Sequence, residues 1–176
     1  VQLLTLEEFS LTSCRDLRAL PVVIRCFTSL KKLSLMSLNA LEKMPEWLGH
    51  LTSLEVFGIK DCRNLTSLPG SMKNLTALRV LMLIECEGLD ILPQWLGHLS
   101  SLRELHIRDC PNITSLPESI QNLTALEELY ISGCSSLVGR SRREDAYKVS
   151  HIHKVIFEPE EPNEEQGQEE PQVHNY

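Results

Sequence analysis

Leu6, Leu30, Leu54, Leu78, Leu102 and Leu126 stand 24 residues apart, and Pro21, Pro45, Pro69, Pro93 and Pro117 keep the same step. Cys14, Cys62, Cys86, Cys110 and Cys134 share that register, with Leu38 in the one gap. A step held this strictly means that every unit places the same residue types in the same environment, so a core can only be shared between stacked units. Within Leu102–Arg108 the alternation around Leu105 and Ile107 predicts a short strand with one buried face. Proline has no N–H to donate, so regular pairing is expected to stop at Pro117 and its equivalents, where the chain turns back.

This pattern, LxxLxLxxC-xx-L-xx-LPxx-I/L-xx-L, predicts an α/β fold: a leucine-rich-repeat solenoid of 24-residue repeats. A curved parallel sheet lines its concave face, and loops or short 3-10 or helical turns form the convex face. Five units are complete over residues 1–138, with partial units at both ends; 139–157 reads as a C-terminal cap segment. Residues 158–176 hold seven Glu and no Lys or Arg, and read as an acidic disordered tail. Without them the 17 basic residues are matched by as many acidic ones, so the net charge of −7 belongs to the tail. A neutral body offers no general attraction to nucleic acid, and no apolar run reaches the roughly 20 residues of a membrane span.

A second order appears at 48 residues, where "PEWLGHLTSL" and "PQWLGHLSSL" alternate with "PGSMKNLTAL" and "PESIQNLTAL". Trp47 and Trp95, alternating with Ser71 and Ser119, are expected to pack between convex turns. The four Asn-x-Thr triplets, at Asn64, Asn74, Asn112 and Asn122, multiplied with this double unit. They match the N-glycan acceptor pattern but are expected to stay unused.

The laddered cysteines read as structural. Stacked at one repeat position, their Cβ vectors run parallel, whereas a disulfide needs them turned together at about 3.8 Å. Thiols there can instead donate weak hydrogen bonds to turn carbonyls. Cys26 lies outside the ladder.

The repeat unit with Cys at the ladder position resembles the leucine-rich repeats of plant intracellular immune receptors, the nucleotide-binding (NB-ARC) leucine-rich-repeat disease-resistance proteins. The array's end resembles their caps: Gly133-Cys134-Ser135-Ser136-Leu137 leads through Arg140 and Glu144-Asp145 to Lys148-Val149-Ser150-His151-Ile152. Ser141, Ala146-Tyr147 and His153 depart from that cap pattern. The resemblance spans roughly 1–157. It implies a cytoplasmic or nuclear protein-recognition module acting in defence, with a pathogen effector, a host protein under guard or the receptor's own nucleotide-binding module as partner. ADP or ATP would belong only to an upstream P-loop module; no GxxxxGK[ST] occurs here and no cofactor is expected in this chain. A stand-alone scaffold of the Ras-pathway type is the alternative, with a secreted glycosylated inhibitor or receptor ectodomain behind it.

No nucleophile is tied by motif to His106 and Asp109, so no enzyme is expected. His151-Ile152-His153 could set two imidazoles on one strand face, but the pair alone is a poor metal site. The informative positions are those two, four and six after each leading Leu, which point away from the core. In order they are Glu8/Ser10/Thr12, Lys32/Ser34/Met36, Val56/Gly58/Lys60, Val80/Met82/Ile84, Glu104/His106/Arg108 and Glu128/Tyr130/Ser132. The fourth set is wholly apolar and is extended by Val56 and Met36. Met36, Val56, Lys60, Val80, Met82, Ile84, Glu104, His106, Arg108 and Tyr130 are therefore the candidate protein-binding residues.

Overall fold

The computed structural model describes residues 5–158. Seven parallel strands form one sheet in chain order: β1 (Glu8–Thr12), β2 (Lys32–Met36), β3 (Val56–Lys60), β4 (Val80–Ile84), β5 (Glu104–Arg108), β6 (Glu128–Ser132) and β7 (Lys154–Glu158). From β1 to β6 each register partner is 24 residues on, as Leu81↔Leu105 and Met82↔His106 show. Every residue type that repeats in sequence therefore forms a row across the sheet. Leu33, Leu35, Phe57, Ile59, Leu81, Leu83, Leu105, Ile107, Leu129 and Ile131 point inward and are fully buried.

Pro21, Pro45, Pro69, Pro93 and Pro117 each cap the N-terminus of a five-residue 3-10 turn. Pairing resumes briefly just before Pro45 and Pro69, where Lys43 bridges Ser67. The residue directly after each of the first six strands adopts left-handed backbone: Ser13, Ser37, Asp61, Glu85, Asp109 and Gly133 have φ between 51° and 62°. From Ser13 to Asp109 that conformation aims the N–H across to the next strand, as Asp61 N–H does to Ile84 C=O at 3.0 Å and Glu85 N–H to Arg108 C=O at 2.9 Å. Short polar residues tolerate this region best, which accounts for Ser and Asp before the ladder cysteines.

The 48-residue order has a steric cause. A Cβ on Gly49 would lie 2.2 Å from Ser71 O, and one on Gly97 2.5 Å from Ser119 O. The turns Glu46–His50 and Gly70–Asn74 thus pack backbone to backbone, as do Gln94–His98 and Glu118–Asn122. Between these pairs Lys73 takes glycine's place and Trp95 takes serine's, so the turns cannot close as tightly. Glu46 reinforces its pair by accepting the Ser71 N–H at 2.9 Å, and Gln94 accepts the Ser119 N–H at 3.1 Å. Trp47 and Trp95 are half-buried against the core. Gly49→Ala is expected to lower stability by about 1–3 kcal/mol through overpacking, read as a shifted urea midpoint. The same change at Gly70, which has open space around it, should do far less.

After Cys134 helix α1 (Ser135–Ser141) follows, spanning the expected boundary between repeats and cap segment at 138/139. A 3-10 turn, Ala146–Val149, leads into β7, which pairs with β6 and runs through Glu158. Residues 159–176, the rest of the segment read as an acidic tail, lie outside the described residues. His151 and His153 precede β7 rather than sharing a strand face, and His151 Nε2 lies 3.3 Å from Leu123 O.

Candidate protein-binding face

Side chains on the solvent face of the sheet fall into three rows because the register never slips. The first row is Glu8, Lys32, Val56, Val80, Glu104, Glu128 and Lys154; the second is Ser10, Ser34, Gly58, Met82, His106, Tyr130 and Ile156. The third is Thr12, Met36, Lys60, Ile84, Arg108, Ser132 and Glu158. Met36, Val56, Val80, Met82 and Ile84 are each half-buried, packed by neighbours yet open to solvent. Gly58 leaves a gap in the second row, and the Met82 Cε leans over it, 3.3 Å from where a Cβ would stand. Met82 is unbranched and can swing aside, which makes this spot the most adaptable on the face.

The polar side of the face is built around His106. Its Nε2 lies 3.3 Å from Glu104 Oε2 but is not aligned with it as a hydrogen bond, so the contact is electrostatic and full only when the imidazole is protonated. Its ring stands 5.8 Å from that of Tyr130. The Tyr130 hydroxyl donates to Glu158, which raises the phenol's pKa. Lys154 Nζ donates to Glu128 at 2.8 Å and holds that carboxyl below its usual range. Ser132, read from sequence as outward-facing, is buried beside β7, whose Glu158 is its register partner. Without β7 its side chain would face solvent.

Both margins of the face carry ion pairs that close on themselves. Along the entry to the strands are Lys31–Glu7 at 2.9 Å, Arg79–Glu55 at 3.7 Å and Arg103–Glu127 at 3.1 Å. Along the exit are Lys60–Glu85 at 3.6 Å, Arg63–Asp61 at 2.8 Å and Arg108–Asp109 at 3.0 Å. The acidic members of this second margin, Asp61, Glu85 and Asp109, are not among the binding residues expected from sequence. Their signal was available: an acidic residue stands directly before Cys62, Cys86 and Cys110.

The cysteine ladder runs beneath that margin. Cys62, Cys86, Cys110 and Cys134 are buried, with Sγ 3.3–3.6 Å from the carbonyl two residues back in their own strands. Each also approaches the preceding strand, as Cys110 Sγ does Leu83 O at 3.5 Å. Cys14, after the edge strand β1, is half-buried. All six cysteines are free thiols. Burial pushes the Cys62 pKa up. For Cys110 the bond with Cys134 lowers the pKa, but the Cys86 thiol and burial outweigh it and push the value up to about 12. Hydrogen bonding with Cys110, then burial, raises Cys134 further. Such thiols stay protonated at neutral pH and are poor nucleophiles and metal ligands. No group of three or more potential metal ligands occurs among the described residues. None of the described helices is long and apolar enough to cross a membrane.

A one-sheet parallel array with one 3-10 turn per 24 residues is a leucine-rich-repeat solenoid. Residues 84–134 match the family model described as R13L1/DRL21 LRRs, which covers less than a third of the chain. The solved leucine-rich-repeat domain of the type III effector XopL is similar, with a TM-score of 0.67 and 29% identity over 76% of this chain and 46% of that one. TLR13 in a TLR13–ssRNA13 complex shares the fold alone, at 18% identity and a TM-score of 0.57 over 87% of this chain and 25% of that one. This chain therefore spans less than half the length of either. Comparison with curated protein sequences finds no match. The chain is a leucine-rich-repeat domain, a class whose members generally bind proteins.

Proposed function

We propose that this domain is the recognition module of an intracellular plant immune receptor, binding a pathogen effector, a host protein or the receptor's own nucleotide-binding module through its concave face. The observation that carries the binding site is the apolar cluster of Val56, Val80, Met82 and Ile84, set over Gly58 and bordered by charge on both sides. An apolar centre within a polar rim is how protein interfaces are composed. The immune role rests on the repeat-plus-cap resemblance. Bound differently by two states of a partner, such a face shifts an off/on equilibrium by the difference in affinity.

The site is tested by a photo-crosslinking residue at position 60 in plant-expressed protein, compared with the same protein carrying Met82→Glu or Ile84→Glu. Burying an unpaired carboxylate in the contact should weaken it at least tenfold, on the order of 1.4 kcal/mol or more, without changing the melting temperature. An undiminished crosslink in both variants would remove the concave face from the function. A crosslinked partner from outside defence signalling would remove the immune role.

The cytoplasmic assignment has its own test. All four acceptor asparagines are exposed, although Asn64 and Asn112 already donate from their side-chain amides to Asn39 O at 2.6 Å and Glu87 O at 2.7 Å. Glycosidase treatment of plant-expressed protein should leave its mass unchanged; a loss of glycan mass would place the chain in the secretory pathway.

A further inference from the structure

The ion pairs at the two margins of the face neutralise one another within the domain, and a partner need not match them. The first row differs. Lys32 is exposed and makes no ion pair among the described residues; Glu8, its register neighbour, is not within salt-bridge reach. Glu104 is half-exposed and has only the His106 imidazole beside it, which is neutral when unprotonated. Glu128, one strand further, is already held by Lys154. Glu8 is open as well, but it lies beyond Lys32 on β1; Lys32 and Glu104 are the open charges that flank the apolar pair Val56–Val80 in the same row. A partner that covers this row desolvates both, so it must bring the opposite charge to each or lose affinity.

Three strand spacings of about 4.8 Å separate Lys32 from Glu104, or about 14 Å. Side chains on one face of an extended segment recur every two residues, about 6.8 Å, so positions i and i+4 lie about 13.5 Å apart. A straight α-helix returns to the same face at seven or eleven residues, about 10.5 or 16.5 Å, and fits neither. Midway, position i+2 falls between Val56 and Val80, and a long side chain there can reach along the strands to the next row, about 6.8 Å away, where Met82 leans over Gly58.

Resting on the concave-face reading, we infer that this domain recognises an extended protein segment of the pattern acid–x–large apolar–x–base. The acid meets Lys32, the apolar anchor displaces Met82 over Gly58, and the base meets Glu104. The segment crosses the strands in the direction β2 to β5. Electrostatic polarity of this kind fixes register and orientation more than it adds affinity.

The test is a displayed library of random twelve-residue peptides selected on the full chain, on Lys32→Glu/Glu104→Lys and on Met82→Glu, with thermal melts to show that all three fold. Wild type should enrich acid–x–apolar–x–base, and the charge-exchanged protein the reversed order. Each should prefer its own synthetic peptide by about tenfold in fluorescence anisotropy, because the matched complex forms two partly exposed ion pairs where the mismatched one sets like charges together. Met82→Glu should enrich neither. If Met82→Glu abolishes binding but the exchange leaves the selected order unchanged, the charge-polarity inference fails while the concave-face reading stands. If Met82→Glu selects the same peptides as wild type, the concave-face reading itself fails. Enrichment at helical spacing, or no enriched pattern, overturns the extended register.

Discussion

Lys148→Ala should lower the stability of the domain by about 3 kcal/mol, because it leaves the buried Asp145 carboxylate with only the more distant, half-exposed Arg140 as a cation. The side chains of Lys148 and Asp145 are 6% and 3% exposed, and Nζ lies 2.9 Å from Asp145 Oδ1. The same ammonium donates to Leu116 O at 2.9 Å and lies 2.9 Å from Glu118 Oε1, so its three protons have three acceptors. Burial alone would lower the lysine pKa, but Glu118 and Asp145 together outweigh it and the net shift is upward. With Lys148 removed, Asp145 keeps only Arg140 Nε at 3.4 Å and the Leu116 N–H at 3.4 Å. Paired Lys148→Ala/Asp145→Ala should recover part of the loss, giving a coupling energy in a double-mutant cycle. Urea midpoints measure the cost. Hydrogen exchange should show β7 amides losing protection before those of β4, because a solenoid frays from the end whose interface is weakened. A loss below about 1 kcal/mol would mean that the cap docks by apolar contact instead.

The same cluster sets an acid limit. Hydrogen bonds from Lys148 and then Tyr147 hold the Glu118 carboxyl below its ordinary range. A carboxylate whose folded pKa is lowered contributes fully above its unfolded value, about 4.3, and loses that contribution as pH falls through the lowered one. Cap unfolding should therefore steepen below about pH 4.3, and Glu118→Gln should flatten that limb in a pH series of melts.

The second large effect is expected inside the sheet. Phe57 is fully buried and occupies a row in which β2, β4, β5 and β6 carry Leu33, Leu81, Leu105 and Leu129, with Phe9 and Val155 at the two ends. Phe57→Ala should cost about 3–5 kcal/mol, the transfer loss plus the cavity left between neighbouring repeats. Phe57→Leu installs the residue that β2, β4, β5 and β6 use at this register and should cost well under half as much. Denaturant midpoints for the two variants separate cavity from hydrophobicity. Equal losses would show that the repeats around β3 cannot relax onto a smaller side chain.

Much of this architecture was legible from spacing. The step of 24 assigned Leu81 and Leu83 to the core and Val80, Met82 and Ile84 to solvent, because a parallel register that never slips turns a sequence period into a spatial row. The cysteine row followed for the same reason. Ser132 keeps its outward register, but its burial was not legible because it depends on β7, a strand outside the period. The free charges of the face were also out of reach. Lys32 and Lys60 look alike in sequence, yet only Lys60 finds a carboxylate, that of Glu85, which the left-handed turn sets beside it.

What the sequence alone determined is therefore what repeats: strand positions, core rows, prolines that open the convex turns, and the apolar solvent face of β4. Each unit sees the same neighbours, so local pattern and tertiary environment carry the same information. Only the tertiary structure decided the cap, the pairing of convex turns through Gly49 and Gly97, and which surface charges stay unmatched. Those depend on contacts between units that differ, such as Lys148 with Leu116 across 32 residues, and no period records them.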